Sequence, residues 1–269
     1  MKRRLLQHIV TVFAVGFLIA CEKVVELPID DAESKVVVEA VGKSLPGKSY
    51  VLLSKSIGLY DDPGTINWLS EATVEVKNES GEVFVFEESD ETGKYTHPDF
   101  AITSNQFYQL TVNVDGQLLE AEAWSKTVPQ IDSLFPFQQI STDFQGNPDT
   151  TNILVYTVTD NPDEKNFYRF VLWVNGIKDD EIFIETDDLG NGATYTSPFF
   201  GISFDSGDEV YAELWSMNKE NYTYFSAMFT NLNQSPFSAA PSDLPSNIQG
   251  NGIGYFGAFM VDTATVVIP

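Results

Sequence analysis

Cysteine and histidine are scarce in this 269-residue chain, and each scarcity removes a class of site. Cys21 is the only cysteine, so the chain has no partner for an internal disulfide and no pair of thiolates for a metal. The two histidines, His8 and His97, are too few for a zinc site built from several histidines. His97 precedes Pro98 in a predicted loop, and no G-x-S-x-G motif accompanies it, so we expect an ordinary loop residue there.

Basic residues are also few, with 15 Lys and Arg against 39 Asp and Glu and a formal net charge of −24. Such a surface repels the phosphates of nucleic acids and anionic lipid head groups, so nucleic acid is not an expected partner. The abundance of carboxylates carries little information about catalysis, because some pair always falls at the spacing of a glycosidase. The composition therefore favours a solvated acidic surface.

The N-terminus has the features of an export signal. A basic start at 2–4 precedes a short apolar run over 9–20, which ends in Leu-Ile-Ala-Cys21. This order predicts a secretory signal peptide over 1–20, and the run is too short to remain as a membrane span. Because the last four residues resemble a bacterial lipoprotein signal, we expect lipidation of Cys21 and a tether over 21–34. The alternative is an ordinary signal peptide with a chance cysteine.

Short runs of β-branched and aromatic residues recur from residue 35 onwards. The clearest of the predicted strands in this first region are 35–41, 49–54, 72–77, 83–86 and 107–114. Asp115-Gly116 follows the last of them and is a strong signal for a β-hairpin. About seven short strands without a helix predict an immunoglobulin- or transthyretin-like β-sandwich over 35–128.

A second β region is predicted beyond Val128-Pro129, which interrupts the strand pattern. Its predicted strands are 152–158, 167–174, 181–185 and 209–215, with closing strands over 252–268. Aromatic and apolar residues recur at helical spacing over about 218–233, where Asn218 or Ser216 is a suitable N-cap. We therefore expect an all-β chain whose second sandwich-like domain, 129–269, carries one short helix.

Two aromatic residues stand outside the strand pattern and are the candidate ligand-binding residues. Tyr60 and Trp68 flank the polar, turn-rich stretch between two predicted strands. Most aromatic residues of the chain lie in strands, where packing in the core is the default role. A loop between the strands of a sandwich is instead a common place for a ligand to bind. A glycan or a peptide is the expected class of ligand.

An acidic segment is the candidate for a metal site. Asp179, Asp180, Asp187 and Asp188 surround a glycine-rich turn and are the candidate ligands for calcium. The segment lacks the full spacing of a calcium-binding loop, which favours acidic strand ends beside a turn. We expect no other cofactor.

The stretch 252–257 matches G-x-G-x-x-G, the fingerprint of a dinucleotide-binding turn. That fingerprint requires a following helix and an acidic residue about 20 positions later. Only a β-branched segment remains after Gly257, so the chain is too short for the motif. We expect the glycines to allow positive φ and a close approach of backbones.

Several segments, taken in order, resemble one known family. They are 22–28 after the lipoprotein signal, 35–40, 107–112, 128–134 and the closing stretch 245–258. In these the chain resembles DUF4249, a family of Bacteroidetes lipoproteins of unknown function. Members are often encoded near TonB-dependent receptors, which implies an accessory role in nutrient uptake. The family offers no catalytic residues to carry over.

Three functions follow from these observations. The leading hypothesis is a non-enzymatic lipoprotein of the outer membrane, on its cell-surface or periplasmic face, that assists a TonB-dependent transporter. The second is a structural or adhesive surface module steadied by calcium. The third is a hydrolase that uses a pair of carboxylates.

Overall fold

A computed structural model describes residues 33–58, 61–62, 64–142, 145–233, 235 and 242–269. Ser34–Pro269 forms one compact unit. The strands are β1 Val36–Lys43, β2 Tyr50–Lys55, β3 Asn67–Trp68, β4 Thr73–Asn78, β5 Val83–Glu88, β6 Lys94–Thr96, β7 Phe107–Val114, β8 Gln117–Trp124, β9 Ile131–Thr142, β10 Pro148–Thr159, β11 Phe167–Val174, β12 Ile177–Lys178, β13 Phe183–Thr186, β14 Thr194–Pro198, β15 Glu209–Met217 and β16 Gly252–Val267. The helix α1 spans Lys219–Leu232, and a 3-10 turn spans Asp187–Leu189.

The first β region packs around a single apolar core. Its strands follow the order β1-β2-β6-β5-β4-β7-β8, all antiparallel. Alternate residues point inward, so that Val38 of β1, Val76 of β4 and Leu110 of β7 are buried in one cluster. Burying each such side chain contributes about 1.5–3 kcal/mol. The predicted hairpin is present, with φ of 53° at Asp115 and 73° at Gly116, as a tight two-residue turn requires.

The second β region is a sandwich of two sheets. The strands β14-β10-β9 form a small sheet, and β12-β11-β15-β16 belong to the large one. Tyr156 of β10, Phe170 of β11 and Leu214 of β15 share a buried cluster between them. The all-β prediction is therefore confirmed, including one short helix in the second region. Within the described residues, that helix is too short and too polar to cross a membrane.

The strand β16 belongs to both regions. Its first half, from Gly252 to Phe259, runs parallel to β1, and its second half, from Met260 to Val267, pairs with β15. The predicted division at Val128-Pro129 places all of β16 in the second region. The structure nevertheless uses half of it to extend the sheet of the first. One continuous sheet therefore runs through both regions.

The helix α1 covers one face of this continuous sheet. Asn218 caps its N-terminus by accepting a hydrogen bond from the amide of Asn221 at 2.8 Å. The helix buries Tyr224 and Phe225 against Tyr255 of β16, with ring centroids 4.7 and 5.0 Å apart. Phe225 is one of the residues that recur at helical spacing, whereas Phe229 and Leu232, which share that spacing, are exposed. Tyr255 lies in the half of β16 that pairs with β1, so this contact is not with the second region's half of the strand.

Candidate functional site

Trp68 lies at the surface beside β2, where the short strand β3 pairs with Ser54 and Lys55. Its side chain is 41% exposed, although it is among the largest apolar groups of the chain. Gly93 makes room for it, because a Cβ there would lie 3.0 Å from the Cβ of Trp68. Gly93 also has a φ of 74°, and its amide donates to Glu88 at 2.9 Å. The exposed indole therefore packs against a turn that a hydrogen bond holds in place.

Two grooves meet at Trp68, and together they form what we call the Trp68 surface. The first has a volume of about 320 Å³ and is lined by Val37, Glu39, Leu52, Ser54, Lys55, Ser56, Ile57, Thr65, Ile66 and Trp68. The second has a volume of about 580 Å³ and is lined by Tyr50, Leu52, Trp68, Glu91, Thr92, Lys94 and Lys178. Trp68 and Leu52 line both grooves, so the two grooves are adjacent and the indole contributes to each of them.

Charged side chains and a tyrosine hydroxyl also line the Trp68 surface. The hydroxyl of Tyr50 donates to Glu39 at 2.8 Å. Burial and the nearby carboxylate of Glu39 raise the pKa of Tyr50 far above its ordinary value, so the hydroxyl keeps its proton. At the rim, Lys94 pairs with Glu91 at 2.7 Å. An exposed indole with aliphatic neighbours and polar groups at the edge suits binding by stacking and hydrogen bonding.

The other predicted ligand-binding residue and the predicted lipidation site lie outside the described residues. Tyr60 falls in the gap between 58 and 61, and Cys21 precedes residue 33. The structure therefore places Trp68 alone of these three residues. Its neighbours Leu52 and Tyr50 were not predicted as site residues, because strand alternation gives no sign of which sheet face stays open.

Two of the four candidate calcium ligands, Asp187 and Asp188, already form ion pairs with a lysine. Lys165 pairs with both Asp187 and Asp188, and its distance to Asp188 is 2.6 Å. The carboxylate of Asp187 is buried and also accepts the backbone amide of Asn166 at 2.9 Å. These contacts raise the pKa of Lys165 and lower that of Asp188 through hydrogen bonds and opposite charge.

The other two candidates lie at a different place on the sheet. The amide of Asp179 donates to Leu172, whereas that of Asp187 donates to Asn166. The two accepting carbonyls, of Leu172 and Asn166, are about 20 Å apart, because an extended strand rises about 3.3 Å per residue. Asp179 accepts the amide of Glu181, and Asp180 is exposed. Among the described residues no group of three or more candidate metal ligands occurs, and calcium binding stays a prediction.

His97 has a structural role after β6. Its Nδ1 accepts the backbone amides of Asp99 at 3.1 Å and Phe100 at 3.0 Å. The ring packs edge-on against Phe84, with centroids 5.5 Å apart. A catalytic triad would need that same nitrogen to donate to a carboxylate. His97 therefore lies in a loop, as predicted, and its Nδ1 is held by the backbone of that loop.

The glycines of the G-x-G-x-x-G stretch have a steric role inside β16. Gly254 has a φ of 116°, and a Cβ there would overlap the backbone of Val38 on the paired strand. A Cβ at Gly257 would overlap the ring of Phe259, which lies across it. Close approach and positive φ are thus both present, as the sequence predicted. The stretch is a strand, and the loop precedes it.

A buried ionic cluster lies beneath α1, and sequence reasoning missed it. Lys43 of β1 pairs with Glu213 of β15 at 2.7 Å, and both side chains are almost fully enclosed. The indole of Trp215 donates to the same carboxylate at 2.7 Å. Nearby, Arg169 stacks on the ring of Phe225 at 4.0 Å. The signal in the sequence was a single carboxylate, Glu213, with apolar or aromatic residues on both sides of it in β15.

Comparison with known proteins gives one match. A family model described as "Domain of unknown function (DUF4249)" matches residues 22–265, which is most of the chain. No curated protein matches the chain.

Proposed function

This chain belongs to the DUF4249 family, and from that premise we propose that it is a non-enzymatic lipoprotein of the outer membrane. In this proposal Cys21 carries the lipid anchor, and the folded β body binds a ligand or a partner. The partner is a TonB-dependent transporter, as the resemblance implies. The body assists uptake by presenting the Trp68 surface.

The anchor rests on the N-terminal sequence. A basic start, a short apolar run and Leu-Ile-Ala-Cys21 have the order of a lipoprotein signal. Each buried CH₂ of an acyl chain contributes about 0.8 kcal/mol to membrane binding, so several chains hold a soluble body firmly. The acidic charge of the chain gives anionic head groups no basic patch to bind.

The exposed indole of Trp68 is the single observation that carries the binding role. It lines two adjacent grooves and packs against the turn at Gly93. Large aromatic side chains contribute most of the energy in many binding sites. A ligand stacked on this indole would also contact Leu52 and the rim charges of Glu91 and Lys94.

The experiment compares two tryptophan variants of the full-length, membrane-bound protein. Trp124→Ala is the matched control, since Trp124 is 54% exposed but lies on β8, away from the grooves. We expect wild type and Trp124→Ala to recover a TonB-dependent transporter after cross-linking, or to bind members of a glycan and peptide panel. Trp68→Ala should weaken that binding about 30-fold, which corresponds to about 2 kcal/mol.

Two results would overturn the proposal. The first is wild-type protein that recovers no outer-membrane transporter and binds nothing in the panel. The second is a Trp68→Ala variant that binds as well as Trp124→Ala does. Membrane fractionation of Cys21→Ala tests the anchor separately, and we expect this variant to leave the membrane fraction.

A further inference from the structure

Strand β9 is the outermost strand of the small sheet β14-β10-β9. Among the described residues it pairs with β10 alone, from Ile131 to Thr142, so one edge of a long strand is open. The Trp68 surface lies on the large sheet, and this edge is therefore a separate feature of the molecule.

The hydrogen bonds of β10 show which backbone groups of β9 face its open edge. The carbonyl of Leu154 accepts the amide of Phe199 at 2.9 Å, on the β14 side of β10. Leu154 is opposite Pro136 in the register of β9 and β10, so the backbone groups of these two residues point away from each other. Because this direction alternates along a strand, the outward-facing residues are Leu134, Pro136, Gln138, Ile140 and Thr142.

The outward backbone groups are available for pairing with another strand. Within the described part of the chain, the backbone of Leu134, Gln138 and Ile140 has no hydrogen-bond partner on this side of β9. Pro136 lacks an amide, but its carbonyl can accept a bond. An added strand would therefore find a nearly complete row of donors and acceptors.

This edge also lacks the charges that commonly protect an exposed strand. Residues 133–142 contain no Asp, Glu, Lys or Arg, although 20% of the chain is charged and its formal net charge is −24. Edge strands of natural proteins often carry charged side chains that prevent edge-to-edge pairing. Two copies of so acidic a chain repel each other, but along this strand their backbones can approach without opposed carboxylates.

Large apolar side chains project from the same strand. Phe137 is 53% exposed, and Ile140 is 73% exposed. On the face of Phe137, the register places Phe137 opposite Ile153 and Phe135 opposite Val155. An apolar stripe therefore crosses the two strands and reaches the open edge. Covering it with a neighbouring strand would remove apolar area from water.

We propose that β9 pairs antiparallel with β9 of a second copy of this chain, about a two-fold axis at Phe137. The two small sheets then form one continuous sheet. Phe137 lies beside the same residue of the second copy at a non-hydrogen-bonded position, where the Cα atoms are about 4.5 Å apart. Leu134 and Ile140 of opposite copies exchange both backbone bonds, and the amide of Gln138 donates to the carbonyl of Pro136.

A second copy suits this edge because a two-fold axis brings identical strands together in antiparallel order. The register at Phe137 joins the exposed aromatic rings, and aromatic pairs across strands are stabilising. It also leaves only the carbonyl of Gln138 unpaired, since Pro136 opposite it has no amide. The proposal goes beyond the transporter role and does not require it.

The test begins with sedimentation of the full-length protein in detergent over a range of concentrations. A contact along one strand is small beside a standard interface of about 1,600 Å², so we expect a weak dimer. A dissociation constant of about 50 µM would give mainly monomer at about 5 µM and mainly dimer at about 500 µM.

Charge variants at the axis identify the partner and the register. Phe137→Glu and Phe137→Lys each place like charges beside one another, so either variant alone should dimerise at least about 10-fold more weakly. A mixture of the two, carrying different affinity tags, should recover the dimer and copurify, because opposite charges then meet.

Val85→Glu is the matched control. Val85 is 51% exposed, close to Phe137, but it lies on β5, which is paired on both sides by β4 and β6. This variant should dimerise as wild type does. Melting curves of the three variants verify that each of them is folded.

Three outcomes would overturn the proposal. The first is a wild-type protein that stays monomeric at every concentration, even if another protein binds to β9. The second is a mixture of Phe137→Glu and Phe137→Lys that copurifies no better than either variant with itself. The third is a dimer that Phe137→Glu leaves intact, which would assign the contact to a different surface.

Discussion

Lys43 and Glu213 form a buried ion pair across strand β16, with 2.7 Å between Nζ and Oε2. Lys43 belongs to β1 and Glu213 to β15, and β16 lies between these two strands in the sheet. Trp215 and Tyr211 donate the remaining hydrogen bonds to the carboxylate. The pair thus joins the first β region to the second through side chains, beside the backbone pairing of β16.

Removing one partner of this pair should destabilise the protein strongly. Lys43→Met leaves Glu213 buried without its cation, and such a loss costs about 3–5 kcal/mol. The double variant Lys43→Met/Glu213→Met should recover most of that stability, because no unpaired charge remains. Urea unfolding measures both. Single variants within about 1 kcal/mol of wild type would contradict the importance of the pair.

Alkaline pH should destabilise the protein through its buried tyrosines. Burial, followed by a hydrogen bond to Glu185, raises the pKa of Tyr156, and burial with a hydrogen bond to Asp160 raises that of Tyr168. A raised pKa keeps the phenol protonated in the folded state while it ionises in the unfolded chain. Stability is therefore complete below about pH 10 and falls above it.

Each such tyrosine contributes a slope of up to about 1.4 kcal/mol per pH unit above pH 10. Burial lowers the pKa of Lys43, which acts in the opposite direction as the pH approaches the ordinary value of lysine. Because several buried tyrosines act against this one lysine, we expect a net loss of stability as the pH rises. Urea unfolding at pH 9, 10 and 11 tests this, and Tyr156→Phe should reduce the slope. A flat profile would contradict it.

The two glycines of β16 should respond differently to alanine. Gly254→Ala combines a strained positive φ with overlap onto the backbone of Val38, so we expect a loss above about 2 kcal/mol. Gly257→Ala overlaps only the ring of Phe259 and should cost about 1–3 kcal/mol. Phe259→Leu should relieve part of the second loss and none of the first. Thermal unfolding of the single and double variants measures this.

The neighbouring acids Asp187 and Asp188 provide a further contrast. Asp187→Ala removes the buried acceptor of the Asn166 amide, which costs about 1–3 kcal/mol. Asp188 is exposed, and Asp188→Ala should stay within about 0.5 kcal/mol of wild type. Equal effects of the two substitutions would contradict this assignment.

Calcium is tested by melting the wild-type protein with added Ca²⁺ and with a chelator. Because Lys165 already pairs with Asp187 and Asp188, we expect the two melting temperatures to agree. A higher melting temperature in Ca²⁺ would instead support the predicted site.

Local patterns predicted much of the fold. Alternation over 107–114 matches β7, Asp115-Gly116 forms the expected hairpin, and the helix expected at about 218–233 spans Lys219–Leu232. These elements depend on contacts close in sequence, or on one buried face, and both leave a pattern. The position of Trp68 outside the core was predicted for a related reason, since its turn-rich surroundings are inconsistent with a buried strand.

Contacts between residues that are distant in the sequence left no comparable pattern. Nothing in residues 252–267 indicates that one strand serves two regions, because each half has an ordinary apolar pattern. Alternation over 209–215 places Glu213 and Leu214 on different faces of the strand. It does not reveal that α1 and Lys43 enclose the face that carries Glu213.

The shared strand β16 determines the order in which this protein can complete its fold. The edge of β1 stays unpaired until Gly252–Phe259 is in place, although the two segments are separated by most of the chain. Closing so large a loop is slow, because its entropy is lost before the contacts form. The N-terminal strands should therefore remain accessible to chaperones, or prone to misfolding, until β16 has paired. A fragment that ends at residue 128 should expose the unpaired edge of β1.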